Sequence, residues 1–443
     1  MKVNVIHADL NPCGGAEQLA VATLQALLEM ETQVDLTVAK APDLARIEKA
    51  FGERARRIFD RIKVKPLGRL PVELDWQTGT LACRPGAEGA MREYDLVVNT
   101  HGDVLPYFLP SFSSRNCITY CHFPVVASYA PCHNLDYLQG LVDLGLLDRE
   151  VMGMADSALF WRSLLEYYLL MLRNSLVITN SRFSRQAIID EVKTAGAHRP
   201  AVTVPAIIAP PVCVDELRRA VLFPSSREDR VLVVSRIHPS KKLENAIELA
   251  RILKRRGIGG KEMVIAGNMP ADDSCGQKYH EQLLDVVEGY GLSGYVSIKP
   301  NVELGQLQSL MQKSKAYFHP MPEEPFGISV VEAMAAGLVP AVPATGGPTE
   351  FVPQKYQFRS LEEAAGIIQA ALQVSDKERL AISDSVKGFS LSAYTSRFLQ
   401  FISERQQLAP ATTTATASAS TSTAAAAAQY ERRAASGRRP GLA

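Results

Sequence analysis

Short runs of β-branched and aliphatic residues alternate with stretches of helical period along most of this chain, and that alternation most narrows the folds open to it. In the first half the runs are VNVIHA, VDLTVA, YDLVVN (94–99), NCITYCH (116–122) and SLVITN (175–180), with a helical pattern near 16–30. The second half repeats the rhythm with RVLVVSRI (230–237), a helix near 241–256, EMVIAGN (262–268), a helix near 277–290, YVSIKP, a short helix, AYFHPMP and LVPAVPA. Strands that recur with helices between them pair in parallel, and a parallel sheet needs helices over both faces. The chain is therefore expected to be α/β, with two doubly wound domains in tandem and not a sandwich or a bundle.

The proline pair in AIIAPPVCVDEL (206–217) interrupts the pattern and marks the expected boundary. The predicted domains are 1–212 and 213–390, with a helix at 391–407 packing back toward the first. A linker this short makes two domains face each other across a cleft. Ligands of open α/β sheets sit outside the carboxyl ends of the strands, so motifs at strand ends in both halves should converge there. From 408 to 443 the chain turns to Thr, Ala and Ser with scattered Arg, too poor in large apolar residues to build a core.

Composition removes several alternatives. With 443 residues, 47% hydrophobic and 21% charged, the chain is long enough for two cores. A formal charge of +1 and no basic stripe interleaved with aromatics argue against a nucleic-acid partner. The seven cysteines have no framework spacing, as expected of reduced thiols in a cytosolic protein. Cys117, Cys121, His122, Cys132 and His133 match no standard zinc spacing, so no metal is expected. The N-terminal apolar run is too short for a secretory signal, and no window is long enough to span a bilayer. The apolar and aromatic stretch SALFWRSLLEYYLLML (157–172) is either a core helix or a surface for peripheral membrane contact.

The chemistry concentrates at predicted strand ends. Gly14 and Gly15 in NPCGGAEQLA open a helix, where absent side chains and free amides suit an anion, although a plain strand-to-helix turn uses glycine as well. His122 closes the strand ITYCH and is placed to bond a hydroxyl or carbonyl in the cleft. Arg236, with Lys241 or Lys242, lies in the loop SRIHPSKK ahead of a helix, a suitable clamp for a diphosphate or simply a solvated loop.

PEEPFGISVVEAMAAGLVPA (322–341) carries more. Pro325 reads as the first helical residue, which places Glu324 at or before the cap and Glu332 about two turns inside, on the burying face. A carboxylate there is costly unless bonded. The vicinal hydroxyls of a ribose would satisfy it, as would an internal ion pair with Arg236.

These residues resemble a known family. E-P-F-G-I-S-V-V-E (324–332) is similar to the E-x7-E motif of the GT-B retaining glycosyltransferases of family 4, and A-M-A-A-G with T-G-G-P-T-E (345–350) continues it. Gly14-Gly15-Ala16-Glu17, S-R-I-H-P-S-K, V-I-A-G-N and N-S-R-F-S (180–184) follow in the family's order, so the resemblance covers roughly 1–405. Within the family, Y-C-H-F-P (120–124) and H-P-M-P-E-E-P-F-G-I (319–328) are most like the mannosyltransferases that extend a lipid-linked oligosaccharide from GDP-mannose.

The resemblance implies two Rossmann-like domains around a cleft and a nucleotide-sugar donor as substrate, with no separate cofactor. It implies a glycan or lipid-linked glycan acceptor, and action in the cytoplasm or on the cytoplasmic membrane face. It assigns Glu324 and His122 to the donor sugar, and Glu332 to the ribose. The backbone of Phe326, Gly327 and Ile328 goes to the sugar and phosphates. Arg236 and Lys241 neutralise the leaving diphosphate, with Gly14 and Gly15 beside it. Lys242 occupies a place often taken by glycine, and N-M-P follows V-I-A-G where many members have D-G. The chain has no D-x-D pair of the kind that holds a cation in GT-A transferases. Two other classes use the same residues: a nucleotide-sugar epimerase of the same fold, and a non-catalytic nucleotide-sugar or glycan-binding protein.

Overall fold

The computed structural model describes residues 1–84, 93–107, 116–194, 204–222, 227–258, 262–270 and 273–407. The low-complexity stretch 408–443 lies outside the described residues. A first compact unit runs from Met1 to Leu399, and a second begins at Gln400.

The first unit contains two parallel sheets. The seven-stranded sheet has the spatial order Lys63–Pro66, Gln33–Val38, Lys2–Ile6, Leu96–Asn99, Cys117–Tyr120, Leu176–Thr179, Ala206–Ile207. The six-stranded sheet runs Val296–Pro300, Glu262–Gly267, Glu228–Val234, Ser314–Phe318, Val339–Pro343, Gln357–Phe358. The order in which strands are added therefore reverses beside the first strand of each sheet. One switch point lies between Lys2–Ile6 and Leu96–Asn99, the other between Glu228–Val234 and Ser314–Phe318. Crevices at the carboxyl ends of such strand pairs are where doubly wound folds bind ligands.

The strands are apolar because both of their faces are covered. Leu232, Val233, Val264, Ile265 and Phe318 are fully buried, and burying each such side chain contributes roughly 1.5–3 kcal/mol. The stretch 157–172 forms the helix Ala158–Arg173 with Phe160, Trp161, Leu164, Tyr168, Met171 and Leu172 in the first core. Its Arg162 and Glu166 pair on the outer face, beside the exposed Leu159. Among the described residues no helix is long and apolar enough to cross a membrane.

Ile207 still pairs in the first sheet, while Ala209 and Val212 already pack in the second core. The chain returns alongside this crossing, where Val212 bridges Ser390 and the Tyr394 hydroxyl reaches Thr23 Oγ1 at 2.6 Å.

Three kinds of element escape the periodic pattern. Lys63–Pro66 is a charged edge strand, and Val72–Asp75 with Thr80–Cys83 is a small antiparallel hairpin. Ala206–Ile207 and Gln357–Phe358 are two-residue edges. Each is held by the neighbour it pairs with, a contact that local sequence does not encode.

One expected boundary is corrected. The helix in the glutamate-bearing stretch begins at Ile328, not at Pro325, because Gly327 adopts the left-handed conformation at φ 90 and interrupts helical backbone before it. Glu324 therefore sits in an extended loop three residues ahead of the helix cap, and Glu332 lies one turn inside the helix instead of two.

Candidate active site

At the second switch point two loops meet. One follows Glu228–Val234 and carries Arg236 and Lys241. The other follows Ser314–Phe318 and carries Glu324. Lys241 Nζ lies 2.9 Å from Glu324 Oε2, and His319 Nε2 approaches the same oxygen at 3.5 Å. The Glu324 side chain is only 15% exposed. Burial would raise its carboxyl, but the Lys241 charge and then His319 outweigh that and bring it down to about 2. Glu324 is therefore held ionised and oriented. His319 is itself backed by Tyr317, whose hydroxyl lies 3.4 Å from Nδ1 and 2.8 Å from Ser329 Oγ.

Lys242 is exposed, at φ 53. This is a left-handed backbone position that glycine adopts without strain. Arg236 is exposed in the same loop, and its charge reaches across to the Tyr129 hydroxyl of the first half.

The T-G-G-P-T-E glycines are explained by what lies on them. A Cβ at Gly347 would fall 2.1 Å from the Pro325 carbonyl oxygen, and one at Gly346 would fall 2.7 Å from the Glu324 oxygen. The Gly347 amide donates to the Glu324 carbonyl at 2.8 Å. Phe326 turns its ring inward against Phe351 and Phe389 and anchors the loop. The Ile328–Ala335 helix starts directly after this loop, and the free amides of a helix start favour phosphate.

Glu332 makes no hydrogen bond or ion pair among the described residues, to Arg236 or to anything else. Burial pushes its carboxyl up to about 7. It is a half-buried carboxylate whose protonation is poised near neutrality.

The first switch point is built differently. The Gly14 amide donates to Glu17 Oε2 at 2.6 Å, and Glu17 Oε1 lies 3.5 Å from His7 Nε2. Burial would raise the Glu17 carboxyl, but the His7 hydrogen bond and charge, followed by His101 and the Gly14 amide, lower it. His7 stacks on His101 at 4.6 Å and contacts Thr100 Oγ1 at 3.0 Å. Burial, with the neighbouring His7, brings His101 down to about 4, so it is neutral at physiological pH. His122 follows the next strand, 4.8 Å from the Tyr120 ring, and its buried Nε2 has no hydrogen-bond partner among the described residues.

The two crevices touch. A Cβ on Gly15 would lie 2.4 Å from Ile328 Cδ1, so the glycine turn abuts the head of the second-half helix. Asn268 Nδ2 donates to the Pro12 carbonyl at 3.2 Å. N-S-R-F-S meets the glutamate loop: Ser181 donates to the Pro325 carbonyl at 2.7 Å, and the Phe183 amide donates to Glu350 at 2.8 Å. Thus Gly14, Gly15, Lys241, Glu324, Gly327 and Ile328 line adjoining loops. Arg236 is exposed in the loop that carries Lys241, and the Phe326 ring packs against Phe351 and Phe389.

Sequence reasoning passed over His7, Glu17, His101, Tyr317 and His319 as site residues. His7 and His319 immediately follow the strands Lys2–Ile6 and Ser314–Phe318, and His101 comes two residues after Leu96–Asn99, so for these three the strand end is the available signal.

Residues 214–375 match the family described as glycosyl transferases group 1. This part of the chain is a glycosyl transferases group 1 domain. The group 1 domain thus contains Arg236, Lys241, Glu324 and Glu332.

A Neurospora crassa protein named GDP-Man:Man(3)GlcNAc(2)-PP-Dol alpha-1,2-mannosyltransferase is 23% identical over 90% of this chain and 79% of its own length. A Dictyostelium discoideum protein of the same name is 25% identical over 44% of this chain, which spans only 41% of that relative. Among solved structures, Anabaena Alr3699/HepE in complex with UDP aligns with a TM-score of 0.60 at 17% identity, covering 91% of this chain and all of the other. The group 1 domain and the sheet that precedes it share the GT-B fold.

Proposed function

We propose that this protein is a retaining, metal-independent hexosyltransferase of family 4, which moves mannose from GDP-mannose to a lipid-linked glycan in α linkage. The observation that carries the reading is the Lys241–Glu324–His319 cluster at the head of the Ile328–Ala335 helix, faced by the Gly14–Gly15 turn. The relatives named as GDP-mannose-dependent mannosyltransferases support this choice of donor and acceptor.

In this reading the diphosphate lies at the helix head, where the Ile328 and Ser329 amides and the positive helix end stabilise charge that grows as the sugar leaves. Lys241 and Arg236 supply the neutralisation that a cation provides elsewhere. Glu324, ionised and fixed, bonds donor sugar hydroxyls and stabilises positive charge developing at the anomeric carbon. His122 borders the same sugar with its free ring nitrogen, and Glu332 receives the ribose hydroxyls. The acceptor hydroxyl attacks from the face the diphosphate is leaving. The new glycosidic bond forms as the sugar–phosphate bond breaks, and the hydroxyl proton passes to the departing phosphate. A lipid-linked acceptor would bring the protein to a cytoplasmic membrane face as a peripheral partner.

The test is a thermal-shift screen with GDP-, UDP- and ADP-sugars, followed by transfer to a lipid-linked mannose acceptor. GDP-mannose should stabilise the protein and be consumed only with acceptor present. Neither stabilisation nor turnover with GDP-mannose would sink the mannosyltransferase reading, and an epimer formed from donor alone would replace it with an isomerase.

A further inference from the structure

The N-S-R-F-S turn that leads into the helix Arg182–Thr194 makes hydrogen bonds to both loops that carry the proposed sugar-facing residues. Asn180 Nδ2 donates to the His122 carbonyl at 2.9 Å. The next residue, Ser181, donates through Oγ to the Pro325 carbonyl at 2.7 Å, one residue after Glu324. Ser184 supports this contact: its amide donates to Ser181 Oγ at 3.0 Å, and its own hydroxyl lies 3.4 Å from the same carbonyl. Both residues of the dipeptide are nearly fully buried, Asn180 at 4% exposure and Ser181 at 2%. Behind them Glu350 caps the helix from the second half through the Phe183 amide and Arg182 Nε. The Thr179 hydroxyl also donates to the Cys121 carbonyl at 2.8 Å, so the His122 loop is held at two consecutive residues.

We propose that Asn180 and Ser181 are positioning residues that clamp the His122 loop of the first half to the Glu324 loop of the second, setting the two proposed sugar-facing groups in register. This rests on the transferase reading above. The physical reason is reach. His122 and Glu324 lie in loops that follow strands of different sheets, and among the described residues no bond of either side chain fixes their separation. Two adjacent side chains in the tight turn between the strand Leu176–Thr179 and the helix Arg182–Thr194 bind one backbone carbonyl from each loop, so the separation follows from the geometry of that buried turn. Small displacements of reacting groups are expensive in rate, with losses of about a hundredfold for about 1 Å. The proposed diphosphate and ribose contacts Lys241, Glu332 and the Ile328 helix head belong to the second half and make no hydrogen bond to Asn180 or Ser181 among the described residues.

The variants are Asn180→Asp, which is close in shape but loses the donor to His122, and the double variant Ser181→Ala/Ser184→Ala, which removes both hydroxyls from Pro325. Each should lower kcat by about thirtyfold while donor KM stays within about threefold. Ser181→Thr, which keeps the hydroxyl, should recover most of the rate. Hydrogen exchange supplies a readout independent of turnover. Amides in 321–328 should exchange at least about tenfold faster in the double variant, with 262–267 in the same sheet unchanged.

A rise in donor KM matching the loss of kcat would overturn the proposal, as would an equal loss in Ser181→Thr or unchanged exchange in 321–328. If the unmodified protein turns over no nucleotide sugar, the transferase reading falls, while the exchange result still decides whether the clamp holds the loop.

Discussion

In the second half of the chain, the crevice between Glu228–Val234 and Ser314–Phe318 is lined by charge: Arg236, Lys241, Glu324 and, one turn into the helix, Glu332. In the first half, the matching crevice between Lys2–Ile6 and Leu96–Asn99 is lined by His7, His101 and the Gly14–Gly15 turn, with Glu17 occupied by the Gly14 amide and His7. The strand order is the same on both sides, so topology places both crevices. Side chains then divide the work. A charged crevice suits a diphosphate and a ribose, whereas imidazole rings and bare backbone suit the close approach of sugars. The comparison also separates the two glutamates. Glu324 has cationic partners and stays ionised, while Glu332 has none and is pushed up by burial to about 7.

The contrast is tested most severely by Glu324→Ala. Removing it should lower kcat about a thousandfold, roughly 4 kcal/mol of barrier, against about tenfold for His122→Ala, both measured in the transfer assay. Equal losses would mean that the first crevice takes as large a part in the chemistry.

A smaller but still large effect is expected on stability from Gly347→Ala, whose Cβ would meet the Pro325 carbonyl oxygen at 2.1 Å. Unfolding in denaturant should register a loss of about 3 kcal/mol. Gly15→Ala, which meets only the flexible end of Ile328, should cost about 1 kcal/mol or less.

Glu332→Gln bears on the electrostatic half of the comparison. Folded Glu332 takes up its proton near pH 7 against an ordinary value of 4.5, so between those values the folded protein holds more protons than the unfolded chain. Stability is therefore lost as pH rises through that window. Glu324 acts in the opposite sense: with its carboxyl brought down to about 2, its contribution is present above pH 4.5 and lost as pH falls toward 2. Glu332→Gln should raise stability at pH 8 by about 1–2 kcal/mol, after allowing for its partial exposure, and flatten the slope of Tm between pH 5 and 7. It should also weaken GDP binding about tenfold by calorimetry. An unchanged slope would show that the carboxylate is satisfied in the folded protein.

Tyr394→Phe removes the hydroxyl that meets Thr23 where the chain returns to the first sheet. Its expected cost is about 1 kcal/mol. The smallest effect belongs to Lys49→Ala. Lys49 meets Glu303 between the halves at 2.8 Å, but both side chains are more than half exposed, and its loss should shift stability by less than about 0.5 kcal/mol. A larger shift would mean that surface charge helps to hold the halves together.

By itself, the sequence determined the architecture and the residue types at the strand ends. Alternating apolar runs and helical periods admit a doubly wound parallel fold because buried parallel strands must be apolar on both faces. Gly14, Gly15, His122, Glu324 and the pair Lys241 and Lys242 stood out as candidates because each stands beside a predicted strand or helix terminus. Periodicity could not show the left-handed turn at Gly327 that delays the helix to Ile328, nor the pairing that makes edge strands of Lys63–Pro66 and Gln357–Phe358. Only the tertiary structure decided that Lys241 and not Lys242 meets Glu324, that His319 stands behind it, and that Glu332 is left without a partner. It also brought Asn180 and Ser181 onto the loops of His122 and Glu324. Such contacts join residues far apart in the chain, and their energy depends on distances and burial that exist only after both sheets have folded.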